Sequence, residues 1–336
     1  MALTFSTEKI QPKVMDRLDL LNAQEELNNA WMNLTDAQKN MEEVCEVMEN
    51  IQTSVDLITK YGAAGVEQLN IDGSLEALCG VEAKLLTAEK AQEDLLYNMQ
   101  DAWKRFVTSV RYIWDKIVYW FREKLLAPLV YAIRDLRDMR KNKATESMSL
   151  QPELKQVQIQ RLEPSQKSDI EKTIDNIEKI VKNGEKISNR LNDAFKSIAS
   201  SVYSNGDTND IRQIIITDEY KWFINQAESL ATKTVPDIPL SDRDEILERT
   251  KSFYETDEYL KIIENATRII NDGVSKSKSM LDNLDKEIDP KIDGNKLRDI
   301  REHLKAVSVA CKDLLRSYNV CVRYVKILTA KLKAAK

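Results

Sequence analysis

Residues 295–333 read NKLRDIREHLKAVSVACKDLLRSYNVCVRYVKILTAKLK. Leu297, Ile300, Leu304, Val307, Cys311, Leu314, Tyr318, Cys321, Val325, Leu328 and Leu332 recur there in an unbroken 3-4 alternation over five heptads. That spacing keeps apolar side chains on one side of an α-helix and is the signature of a bundle or coiled-coil seam. At 1.5 Å per residue the helix is on the order of 60 Å long. A chain that ends on such an element is expected to be all-α, built from long amphipathic helices.

The rest of the sequence agrees. Leu27, Trp31, Leu34, Gln38, Met41, Cys45, Met48, Ile51, Val55 and Ile58 step 4-3 through a helix expected from about Thr7 to Tyr61. Gly62 and Gly65 should end it, with a loop from Ala63 to Gly73 and a second helix from near Ser74 past Trp103. Ile170, Ile174, Ile177, Val181, Gly184, Ser188, Leu191, Phe195, Ile198 and Val202 repeat the pattern behind a capping box at Ser168 and Glu171. Further helices are expected over Asp210–Lys233 and from Ser241 to about Glu287, the latter with room for an interruption, and Asp289–Gly294 as a hairpin turn. Only eight Gly and seven Pro occur in 336 residues, too few for a sheet protein's turns. Lys141–Gln166, with Pro152 and Pro164 and no sustained period, reads as a linker between two helical units, 1–140 and 167–336.

Chemistry is sparse. The single histidine, His303, falls within the heptad helix, where a surface or boundary position is expected. Cys45, Cys79, Cys311 and Cys321 are scattered without metal-ligand spacing, so neither a zinc site nor a disulfide framework is expected. No phosphate-binding, dinucleotide-binding or nucleophile-elbow motif occurs. The expectation is a protein without catalysis and without cofactor or metal. No uncharged apolar run reaches the ~18 residues of a transmembrane helix, and no export signal is visible, which leads to the expectation of a soluble protein made in the cytoplasm.

Charge is unevenly spread. Residues 1–100 carry 7 basic and 18 acidic groups, residues 101–160 carry 12 and 7, and residues 301–336 carry 9 and 2. Such asymmetry suggests surfaces for different partners. The most distinctive element runs from Trp103 to about Met139. At 100° per residue Trp103, Phe106, Val110, Trp114, Ile117, Trp120, Phe121 and Leu125 lie within a sector of roughly 160°. Lys104, Arg111, Lys116 and Arg122 lie opposite, and Pro128 should kink or restart the helix. The stripe reads first as the core of its own bundle, with the basic side free for an acidic neighbour. The other readings are an interfacial membrane helix and a helix docked in a partner's groove. At the C-terminus Lys326, Lys331 and Lys333 could make nonspecific phosphate contacts with nucleic acid, or simply complement the helix dipole. The interaction candidates are therefore Lys104, Arg111, Trp114, Lys116, Trp120, Arg122, Lys326, Lys331 and Lys333.

The succession across Glu42–Lys143 resembles the internal head proteins of large contractile-tailed bacteriophages. It runs through the acidic MEEVCEVME at 41–49, the Gly-containing break Tyr61–Gly65, Leu69–Glu82, and the basic Trp-rich VRYIWDKIVYWF at 110–121. The resemblance implies a structural virion protein inside the capsid. It would be packed with DNA, contact the shell or other internal proteins, and be open to trimming after a small residue, any residue, then Glu. Ala144-Thr145-Glu146, Ser74-Leu75-Glu76 and Gly80-Val81-Glu82 fit that rule. The rival expectations are a subunit of an α-helical pore-forming toxin, which alone would touch a membrane, and a coiled-coil scaffold or tether.

Overall fold

A computed structural model describes residues 17–79, 87–146, 161–201, 211–286 and 294–335. These residues are almost wholly helical and hold no strand, so the chain is an all-α bundle. The helices are α1 (Arg17–Tyr61), α2 (Ala63–Ile71), α3 (Ser74–Cys79), α4 (Ala88–Trp120), α5 (Ala127–Glu146), α6 (Pro164–Ser201), α7 (Ile211–Ile215), α8 (Asp218–Ala231), α9 (Leu240–Arg249), α10 (Lys251–Tyr254), α11 (Glu258–Lys286) and α12 (Gly294–Lys333). A π-helical segment, Phe121–Leu126, joins α4 to α5.

Helix α12 is the axis of the bundle, packed against α1, α4, the π segment, α5, α6, α7 and α8. Its heptad residues from Ile300 to Leu332 are all buried, and so are Ala310, Leu315, Val322 and Tyr324 between them. The buried sector is thus wider than a two-stranded seam, as befits a helix with neighbours on several sides. Helices α1 and α4 pack on each other, and α6 lies between α11 and α12. One apolar cluster runs from Leu34 to Leu332 and takes residues from both sides of the expected linker. A satellite cluster of Ile51, Val55, Ile58, Val66, Leu69, Leu75, Ala91 and Leu95 joins the C-terminal part of α1, α2, α3 and the N-terminal part of α4.

Several boundaries differ from the sequence expectation. Ala63–Gly73 is not a loop: Gly62, at φ 56°, breaks α1, and α2 follows at once. Gly65 is helical and buried, set so close to the Leu57 carbonyl that a Cβ would stand 2.7 Å from its oxygen. As expected, the helix restarts at Pro128, which lies in the first turn of α5. The peptide N–H of Ala127 donates to the Arg122 carbonyl five residues back, and this wide turn delivers the chain to Pro128. Within the expected linker, α5 continues to Glu146 and α6 opens at Pro164; residues 147–160 lie outside the described residues. The cap is also earlier than Ser168. Proline suits a first helical position, and the Gln166 side chain accepts a hydrogen bond from the Glu163 N–H at 3.2 Å.

Asp210–Lys233 is two helices, because Thr217 interrupts it and caps α8 by accepting from the Tyr220 N–H. Asp257, at φ 52°, separates α10 from α11. The start of the first helix before Arg17 and the turn at 289–293 lie outside the described residues.

The π segment also governs register. At ~100° per residue, Leu129, Ile133 and Leu136 would stand beyond the edge of the α4 stripe. A π turn takes one residue more than an α turn. That extra residue returns these three to the core, where they are buried beside Ala132 and Met139.

Candidate interaction surface

The inner side of α4 is core. Trp103, Trp114 and Trp120 are all buried, Trp114 with 0% exposure. The Trp114 indole meets the ring of Phe195 on α6 at 5.7 Å between centroids, and Trp103 meets Phe106 at 5.4 Å. Trp114 and Trp120 therefore serve packing in this structure, not an exposed contact.

The basic candidates divide into two sets. Arg111 pairs with Asp282 of α11, and the neighbouring Asp115 pairs with Lys278 of the same helix. Lys331 pairs with Asp237, and Lys333 with Asp135 at 2.6 Å. Lys326 is half-buried, and burial, assisted by the nearby Lys124, pulls its ammonium below the usual lysine range. Hence the C-terminal lysines do not form an open phosphate-binding row: two of the three hold α12 to other segments of the chain.

Part of the charge imbalance between segments is answered inside the molecule. Along α1 and α12, Gln38 accepts from Lys312 at 3.0 Å, Glu42 pairs with Lys305 at 2.9 Å, and Glu49 pairs with Arg301 at 2.7 Å. The acidic N-terminal helix thus lies against the basic C-terminal one. His303 sits at the edge of the core, only 9% exposed.

What remains outside is the second set. Lys104, Lys116 and Arg122 are exposed on the outer face of α4 and the π segment. Arg122 donates to the Asn271 side chain at 3.2 Å and otherwise faces outward. Sequence reasoning missed what stands between them: Tyr112, Tyr119 and Tyr131 are exposed, the last at 62%. The Lys116 ammonium lies 5.3 Å from the Tyr112 ring, and the Arg134 guanidinium 5.9 Å from the Tyr131 ring. Because the π segment restores register, tyrosines and cations before and after it share one outward sector, a ridge on the order of 45 Å long from Lys104 to Arg134. The signal was present in the sequence, since Tyr112 and Tyr119 fall in the same helical sector as Lys104 and Arg122.

Among the described residues no group of His, Cys, Asp and Glu could hold a metal ion, and no helix is long and apolar enough to cross a membrane. Cys45, Cys311 and Cys321 are buried thiols, and burial raises each above the usual thiol range, Cys45 to about 12. They are inert as nucleophiles at neutral pH. No protein-family model, no curated protein and no solved structure matches this chain.

Proposed function

We propose that this chain is a structural protein of a bacteriophage particle, resident inside the head, where it contacts the shell or other internal proteins and packaged DNA. It acts by binding and carries out no catalysis. The observation that most supports this reading is the division of α4: its apolar stripe is sealed in the core while its tyrosine-and-cation ridge faces outward on a rigid rod. Tyr and Arg are favoured contact residues in protein interfaces, and exposed Lys and Arg favour polyanions. The resemblance across Glu42–Lys143 gives the particle. Mass spectrometry of purified virions tests the reading. The chain should be found with intact particles after nuclease and protease treatment of their exterior, and its absence there would remove the proposal.

The pore-forming rival asks the segment Trp103–Val130 to leave a core in which Trp114 and Phe121 are fully buried. Dye release from liposomes is its test.

A further inference from the structure

Two exposed faces of this molecule are chemically matched to one another. On α1, Asp36, Glu43 and Glu46 are exposed and carry no ion pair among the described residues, although Glu42 and Glu49 beside them are engaged by α12. Met32 and Val47 are exposed in the same stripe, Met32 at 62%. At 100° per residue these five lie within about 100° of one another, on the side turned away from the buried Leu34, Met41 and Met48. The stripe is therefore acidic with apolar points, on a rigid helix, and only Lys39 interrupts its sign.

The ridge of α4 and α5 is the complement. It carries Lys104, Lys116, Arg122 and Arg134 with Tyr112 and Tyr119 among them, all exposed, and its sign is interrupted by Glu123 and by Asp115, which is paired with Lys278. Both faces are helical, so they can be laid along each other over several turns. Two ridges would repel, and two α1 stripes would repel, because like charges face to face are destabilising. Acidic on basic is the pairing that satisfies both.

We infer that the outer face of α1 on one copy docks on the tyrosine-and-cation ridge of a second copy of this chain. The contact is heterologous: each copy offers one face and receives on the other. Such contacts continue from copy to copy unless rotation closes them. The occupant is a second copy because the surface of opposite charge is on the same molecule. The inference stands whether or not the protein resides in a virion.

The test is charge reversal with rescue, on the full chain. Sedimentation velocity at low ionic strength should show species above the 38.7 kDa monomer, dispersing at about 0.5 M salt, where screening acts within a few ångströms. Lys104→Glu with Lys116→Glu, and separately Glu43→Lys with Glu46→Lys, should each weaken self-association at least tenfold. Circular dichroism and Tm should not change, since all four residues are exposed. An equimolar mixture of the two variants should regain association, because each then offers the face that the other lacks. A wild type that stays monomeric at tens of micromolar in low salt would overturn the inference. So would association that survives in either variant, or a mixture that remains monomeric. Binding of duplex DNA or anionic vesicles to the ridge of a monomeric wild type would also overturn it, and would assign the ridge elsewhere.

Discussion

Gly273 of α11 lies against the ring of Phe195 on α6, leaving no space for a Cβ: an atom built there would come inside 3.0 Å of the ring. Another neighbour of the same ring is the indole of Trp114. Three helices therefore meet at one aromatic side chain, and the glycine sets how near α11 approaches α6. Gly184 plays the same part for Tyr318, which lies over it from α12.

Gly273→Ala should destabilise the protein. Alanine gains up to about 1 kcal/mol of helix propensity over glycine, while overpacking a filled core typically costs about 1–3 kcal/mol. With a ring as the obstacle, the second effect should win. Thermal or urea unfolding of the variant checks the sign, and a raised Tm would show that Phe195 can move aside.

Trp114→Glu should cost several kcal/mol, because it places an unpaired carboxylate where the side chain is fully buried. Tyr112→Glu, two residues earlier on the exposed side, should stay within about 0.5 kcal/mol. Paired melts of the two variants measure the difference. Equal melts would mean that α4 does not keep its stripe inside in solution.

Leu314→Ala should cost about 2–5 kcal/mol, the range for truncating a buried leucine. Leu314 has 0% exposure on the axial helix. A loss below about 0.5 kcal/mol in urea unfolding would contradict α12 as the axis of the bundle.

Asp313 gives the pH dependence. Burial raises its carboxyl above the usual aspartate range, against the opposing hydrogen bond from the Tyr220 hydroxyl. A carboxyl whose folded pKa is raised binds more protons folded than unfolded. Its contribution is therefore most favourable below the unfolded value, ~3.9, and declines as pH rises through the folded value. Asparagine can still accept from Tyr220 and never ionises. Asp313→Asn should gain stability relative to wild type as pH goes from 4 to 7, as read by urea midpoints. A gap independent of pH would show that Asp313 ionises freely.

The π segment supports a deletion test. Removing the exposed Glu123 takes the extra residue out of a turn that already holds one too many, so the core residues on both sides can keep their faces. Removing the exposed Lys116 from the regular part of α4 turns everything beyond it by ~100°. The first deletion should retain a cooperative melt, and the second should lose it.

The sequence made α12 legible because a 3-4 repeat with few glycines has one physical solution. The core role of Trp114 followed from the same period. The π turn was not legible: the stripe up to Leu125 obeys 100° per residue, the residues after Pro128 obey it too, and only their relative phase betrays the extra residue. Ala63–Gly73 read as a loop because glycine was taken as punctuation, yet only Gly62 and Gly73 have positive φ, while Gly65 serves a close approach. Sequence spacing at the C-terminal lysines does not reveal that Asp135 and Asp237 come round to meet Lys333 and Lys331.

The axial position of α12 sets a timetable for the chain's birth. Gln38 and its partner Lys312 are 274 residues apart. At a synthesis rate of about 5–20 residues per second, α1 waits on the order of tens of seconds before the helix that completes its packing exists. During that interval α4 can cover part of its apolar side, but the stripe that ends against α12 stays open to solvent or to a chaperone. Contacts of such long range also slow the final closure, since the loop they join must be ordered before they reward it. Nascent chains stalled before α12 should therefore be the ones that chaperones hold and proteases find.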